Sequence, residues 1–123
     1  MSKVILIVED DPKSLKLTRD LLQVSGYTTI EATNGQQGVK LAKARKPDLI
    51  LMDILMPKMD GYAACREIKM DKATRAIPVV MLTSLDYELN KALGKDVGAD
   101  GYMTKPFGHQ ELLDVISRFL PTS

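Results

Sequence analysis

Apolar residues along this chain fall into two alternating patterns, short unbroken runs and longer stretches with helical spacing. Val4–Val8 is a continuous β-branched and leucine run, expected of a strand buried on both faces. Thr28–Ala32, Asp48–Asp53, Ile77–Thr83 and a short Tyr102–Thr104 are predicted as further strands. Pro78 falls near the start of the fourth, where a missing ladder donor is tolerated. Asp11 and Pro12 read as the N-cap and first residue of a helix that Gly26 ends. Leu17, Leu21 and Val24 recur along it as the expected core face. Asn34 caps a second helix, carrying Val39, Leu41 and Ala42, which Pro47 stops. After the turn-rich MPKMDG comes a third helix, roughly Tyr62 to Met70. Leu85–Val97 reads as a fourth, weakened by Gly94. Leu112, Leu113, Ile116, Phe119 and Leu120 mark the last, which Pro121 closes.

Strands alternating with helices in this way predict an α/β fold, a doubly wound parallel sheet of five βα units with helices on both faces. The expected strand order is the flavodoxin-like 2-1-3-4-5, and ligands of such sheets bind outside the carboxyl ends, at the switch between strands 1 and 3. A length of 123 residues suits one domain, and 45% hydrophobic with 27% charged residues suits a globular one. A formal charge of +1 gives no reason to expect a nucleic-acid or membrane partner. The lone Cys65 fits a reducing cytoplasm, and no signal peptide or membrane span is visible.

Composition therefore excludes more than it assigns; the chemistry lies in how the apolar runs end. VILIV ends on Glu9 and Asp10, LILM on Asp53, VVML on Thr83 and GYMT on Lys105. In a parallel sheet these ends share one edge. Carboxylates so close together repel, and one should have its pKa raised unless a hard divalent cation compensates. Lys105 adds a compact positive charge able to pair with a carboxylate or a phosphoryl oxygen, and Thr83 adds a hydroxyl donor. This is the inventory of phosphoryl transfer, with Asp53, at the end of the central strand, the best candidate nucleophile.

Taken singly, each residue has a plainer role. Acids after a strand commonly cap the next helix, which Asp11 is expected to do and Asp10 could equally do. His109, the only histidine, is expected to be solvated or capping at the start of the last helix, and Cys65 to be a packing residue. The seven methionines read as gap-fillers. Leu15, Thr18 and Leu22 form a second stripe on the first helix, either inert surface or a docking site for a partner. On the docking reading, Leu15→Asp slows phosphotransfer from a partner and leaves small-molecule phosphorylation intact.

VILIVEDD, DLILMDILMPKMDG, PVVMLTS and GADGYMTKPF, in this order and spacing, resemble the receiver domains of two-component response regulators over essentially the whole chain. The resemblance implies one receiver domain over 1–123, of the chemotaxis-regulator-like, single-domain kind. It implies Asp53 as phosphoacceptor, Asp10 as direct Mg²⁺ ligand, Glu9 as a ligand through water and the Leu55 carbonyl as the remaining protein ligand, with Mn²⁺ able to replace Mg²⁺. Thr83 and Lys105 would bind the phosphoryl group, Tyr102 would be the aromatic switch residue, and the Lys105–Pro106 bond would be cis. The implied donor is a histidine kinase or histidine phosphotransfer protein. The implied output is a repacked face of fourth helix, fifth strand and fifth helix, near Lys91, Lys95, Tyr102 and His109, that controls a downstream protein. Such a protein is a cytoplasmic switch, not an enzyme with external substrates. Leu55 cannot orient water, Tyr87 and Glu88 could screen it, and slow self-hydrolysis is expected; small Ser84 leaves room for a donor.

A phosphohydrolase of the haloacid-dehalogenase type needs an acid two residues past its nucleophile, where this chain has Leu55. A flavodoxin would need hydroxyls and backbone donors after strand 1, where Glu9 and Asp10 repel phosphate. An unphosphorylated docking module, or a receiver excised from a larger regulator, is the alternative left open. No DNA-binding or catalytic output segment follows the last helix in this sequence.

Overall fold

A computed structural model describes residues 2–54, 56, 59–83 and 97–120. The five apolar runs form one parallel sheet: β1 (Val4–Val8), β2 (Thr28–Ala32), β3 (Leu49–Asp53), β4 (Val79–Thr83) and β5 (Gly101–Thr104). Their order is β2-β1-β3-β4-β5, the order expected from the sequence. The helices are α1 (Pro12–Val24), α2 (Gly35–Arg45), α3 (Gly61–Met70) and α4 (His109–Phe119). The helix predicted over Leu85–Val97 lies outside the described residues except for Val97. Ser84, Tyr87, Glu88, Lys91, Lys95, Leu55 and Pro121 also lie outside them.

Polar residues trim the strand ends. Asp48, expected in β3, stands before it, where its backbone N–H donates to the Val4 carbonyl and its carboxylate accepts from the Val4 N–H at 2.8 Å. Pro78 likewise precedes β4, because the next N–H, of Val79, is taken by the Asp100 carboxylate at 2.8 Å. Asp11 and Asn34 cap their helices as the sequence reading expects, and Asp60 caps α3 as well: they accept from Ser14, Gln37 and Ala63 at 2.9–3.0 Å. Gly26, at φ +96°, turns the chain out of α1, and Lys46, at φ 44°, ends α2 just before Pro47.

Two cores lie on the two sheet faces. Ile5, Ile7, Leu49, Leu51, Leu82 and Met103 pack under α1 and α4, while Leu6, Val8, Ile50, Met52 and Met81 pack under α2 and α3. Strands buried on both faces explain why β1, β3 and β4 read as unbroken apolar runs.

The first helix reverses the sequence expectation. Leu15, Thr18 and Leu22 are buried, and Leu22 is wholly inside. Leu17 is 63% and Val24 84% exposed, with Leu21 partly buried against the core. Both stripes have helical spacing, so periodicity alone cannot choose between them. The choice is tertiary: the rotation of α1 about its axis puts Leu15, Thr18 and Leu22 inside and leaves Leu17 and Val24 outside. Leu15 and Leu22 are therefore not a docking stripe, and Leu15→Asp would bury a charge in the core.

Leu22→Ala should cost about 2–5 kcal/mol of unfolding free energy, and Leu17→Asp less than about 0.5 kcal/mol. Urea denaturation of the two variants checks the assignment, and the opposite ranking would refute it.

Candidate functional site

The sheet register brings the polar strand ends together. Val8 pairs with Met52, so the next residues along β1 and β3 are Glu9 and Asp53. Asp53 pairs with Leu82, leaving Thr83 one step beyond, and Thr83 pairs with Thr104, leaving Lys105 one step beyond that. Side chains alternate between faces with a period of two. Ile7, Leu51 and Met103 face the layer of α1 and α4, and two residues further on stand Glu9, Asp53 and Lys105. Thr83 and Tyr102 have the other parity, and Tyr102 packs against the core under α2 and α3.

Contacts follow from that parity. The Lys105 ammonium donates to Glu9 Oε1 at 2.5 Å and lies 3.6 Å from Asp53 Oδ1. Its backbone N–H donates to the Thr83 carbonyl at 2.6 Å, and the Lys105–Pro106 peptide is cis, as the resemblance implied. Glu9 is only 2% and Asp53 9% exposed, whereas Asp10 is exposed. Oxygens of Glu9, Asp10 and Asp53 lie within 4.8 Å of one another. Glu9 Oε2 is buried with no hydrogen-bond donor among the described residues.

Burial pushes the Asp53 carboxyl up to about 7, reinforced by the hydrogen bond and charge of Glu9. The Lys105 ammonium opposes the shift but does not cancel it, and Asp10 adds to it. The expected mutual repulsion is thus present, concentrated on the residue proposed as nucleophile. An orphaned carboxylate oxygen beside two further carboxylates fits a hard divalent cation. Asp11, by contrast, serves as the cap of α1, and its backbone hydrogen bond to Ser14 holds its carboxyl below the usual range.

Three features escaped the sequence reading. The ion pair of Lys105 with Glu9 joins residues 96 apart, with no local signal. Gly61 is a seat: a Cβ there would stand 2.3 Å from the Asp53 carbonyl oxygen, so only glycine lets α3 start against Asp53. Beside Lys105 lies a cavity of about 250 Å³, lined by Ser14, Leu17, Thr18, Lys105, Pro106 and Phe107. The apolar pair Pro106–Phe107 after Lys105 was the available clue to that cavity. Cys65 is buried in packing, where desolvation pushes its thiol up to about 11, and His109 is the exposed first residue of α4.

Residues 5–117 match the family pattern described as the response regulator receiver domain. The chain belongs to the receiver family of two-component response regulators. Protein PilH of Pseudomonas aeruginosa is 42% identical over 94% of this chain and 96% of its own length. The alkaline phosphatase synthesis transcriptional regulatory protein PhoP of Bacillus subtilis is also 42% identical, over 91% of this chain. That match spans only 46% of PhoP, so the chain covers about half the length of that relative. Among solved structures, the receiver domain of sensor histidine kinase PA1611 from P. aeruginosa superposes with a TM-score of 0.92 at 31% identity, covering 99% of this chain and 100% of that one. That structure carries a magnesium ion coordinated in its active-site cleft. Receiver domains are signalling switches, and phosphorylation and Mg²⁺ are typical of them. Among the described residues, no helix is long and apolar enough to cross a membrane.

The raised carboxyl fixes a sign for pH dependence. Because Asp53 has a folded value of about 7 against an ordinary 3.8, folding favours its protonated form. That contribution is complete below about pH 4 and is lost as the pH rises through about 7, a span worth roughly 4 kcal/mol at most. Without added metal, Asp53→Asn should therefore be more stable than wild type at about pH 8, with the gap closing toward about pH 4. Thermal melts across that range measure it, and parallel curves for the two proteins would contradict the assignment.

Proposed function

We propose that this chain, as one receiver domain over residues 1–123, accepts a phosphoryl group on Asp53 and reports it to a protein partner. The observation that carries the reading is the buried Asp53 carboxyl beside the Glu9–Lys105 ion pair, at the sheet edge where the switch point falls. A carboxylate oxygen of Asp53 attacks the phosphorus of a phosphohistidine whose second ring nitrogen carries a proton; the P–N bond breaks and its electron pair returns to the ring, so the imidazole leaves neutral. The product is an acyl phosphate on Asp53 and a neutral histidine on the donor.

Glu9, Asp10 and Asp53 would hold Mg²⁺, or Mn²⁺ in its place, Glu9 through a water, with the Leu55 carbonyl as further ligand. Such a cation supplies charge neutralisation to the carboxylates and to the transferring group. Lys105, released from Glu9, and Thr83 would then hold the phosphoryl oxygens. Tyr102 has the parity of Thr83 and lies on the neighbouring strand, so it is the residue to carry a shift of Thr83 toward the surface of β5 and α4. Two packings of that surface a few kcal/mol apart suffice for a switch.

The donor, a histidine kinase or histidine phosphotransfer protein, would dock on the α1 side. Leu17 takes the role first expected of Leu15: it is exposed and lines the cavity beside Lys105 with Pro106 and Phe107. The output is a downstream protein in the cytoplasm, with no nucleic-acid or membrane contact by this domain. The domain turns over no external substrate.

Incubation with acetyl phosphate and Mg²⁺ should add one phosphoryl mass that Asp53→Ala abolishes. An unmodified wild-type mass would sink the reading and favour a docking module. The acyl phosphate should persist for minutes; loss within seconds would remove the argument built on Leu55. Leu17→Asp should slow transfer from the cognate phosphohistidine donor about tenfold or more, the size of an interface hot spot, with the acetyl phosphate rate unchanged. Equal slowing with both donors would argue against Leu17 as a docking residue.

A further inference from the structure

At the opposite edge of the sheet from Asp53, α3 grips the entry to β5. The Lys69 side chain is only 14% exposed, and its ammonium donates to the Arg75 and Ile77 carbonyls at 3.1 and 2.6 Å while pairing with Asp100 Oδ2 at 2.6 Å. Two ammonium donors are thus taken by backbone carbonyls, and the Asp100 carboxylate balances the charge. The same Asp100 oxygen accepts from the Val79 N–H at 2.8 Å, and the Asp100 N–H donates back to the Val79 carbonyl at 2.8 Å. One carboxylate thus joins the last turn of α3, the first residue of β4 and the residue before β5. Gly98, at φ +88°, folds closely over this lysine, since a Cβ on it would stand 3.2 Å from Lys69 Cγ.

The strand so held is the one least able to fix itself. β5 has four residues, lies at an edge and pairs with β4 alone. A one-residue slip would exchange the faces of Tyr102 and Met103, and a two-residue slip would move its end by roughly 7 Å. Either would carry away Lys105, which follows β5 directly and meets Glu9 and Asp53. A charged clasp at one end of a short strand removes that freedom at the other end, about 13 Å away.

We propose that Lys69, acting through Asp100, is a positioning residue that locks β5 in register on β4 and so sets where Lys105 meets the phosphoryl group. The proposal rests on the phosphoacceptor reading of Asp53. Its consequence is that an ion pair remote from the site governs the rate of phosphoryl capture and the geometry of the captured group. A misplacement of about 1 Å in a catalytic group can cost on the order of a hundredfold in rate, and a loosened clasp should cost about tenfold.

Lys69→Met keeps the packed stem and removes the charge, and Asp100→Ala removes the whole clasp. Ile68→Val, on the same helix and buried in the core that α2 and α3 cover, serves as a control for general loss of stability. In the full chain with Mg²⁺, both clasp variants should be phosphorylated by acetyl phosphate about tenfold more slowly than wild type. Their bound beryllofluoride should show shifted or broadened ¹⁹F resonances, with Ile68→Val matching wild type in both. Wild-type rates and spectra in the folded clasp variants would overturn the proposal, as would the same changes in Ile68→Val. Should wild type itself take up neither phosphoryl nor beryllofluoride, the phosphoacceptor reading fails instead. Amide hydrogen exchange over Tyr102–Lys105 then tests the lock by itself: protection lost in the clasp variants and kept in Ile68→Val supports it, and unchanged protection refutes it.

Discussion

One ammonium facing three carboxylates is the constraint on which this structure turns. Lys105 is paired with Glu9 and close to Asp53, yet the Asp53 carboxyl still rises to about 7, because desolvation and Glu9 together outweigh a single positive charge. An arrangement of this kind destabilises the fold, and the two hydrophobic cores must offset it. It persists because β1 and β3, which deliver Glu9 and Asp53, are buried on both faces. The deficit of positive charge is also the chemical capacity of the site. A site left short of cations, with one carboxylate oxygen lacking a donor, favours a hard metal ion, and a phosphoryl group after it.

Strand parity divides the work between the two faces of the sheet. Glu9, Asp53 and Lys105 extend the face covered by α1 and α4, while Thr83 and Tyr102 extend the face covered by α2 and α3. The residues proposed as acceptor and as readout therefore extend opposite faces, and at their shared edge the Lys105 N–H bonds to the Thr83 carbonyl. That hydrogen bond joins adjacent strands of opposite assignment, so a force applied to Lys105 reaches Thr83 through the backbone.

Much of this was legible from local pattern. Unbroken β-branched runs identify strands buried on both faces, and the alternation with helices yields a doubly wound parallel sheet, for which the flavodoxin-like order was expected. Once the order is known, Glu9, Asp53, Thr83 and Lys105 must share an edge. The face of α1 was not legible, because Leu17, Leu21 and Val24 fit a helical stripe as well as Leu15, Thr18 and Leu22 do. Only the packing of Leu22 against the strands decides between them. The Glu9–Lys105 and Lys69–Asp100 pairs were also hidden, since long-range ion pairs leave no periodic trace in a sequence. Strand ends shifted by a residue or two wherever a side chain took over a ladder bond, as Asp48 and Asp100 do.

The reversal of α1 has a chemical consequence beyond correcting a face. It takes Leu15 and Leu22 into the core and leaves Leu17 outside, on the rim of the cavity that Lys105, Pro106 and Phe107 share. Apolar surface that contributes little to folding is therefore contiguous with the reacting edge. A partner seated on that rim would bury the apolar surface and exclude water from Lys105 in one event. Water exclusion lowers the local dielectric and strengthens the attraction between the Lys105 ammonium and an incoming phosphoryl group. Recognition of the donor and activation of the site would then be coupled through a single groove, without any movement of the sheet.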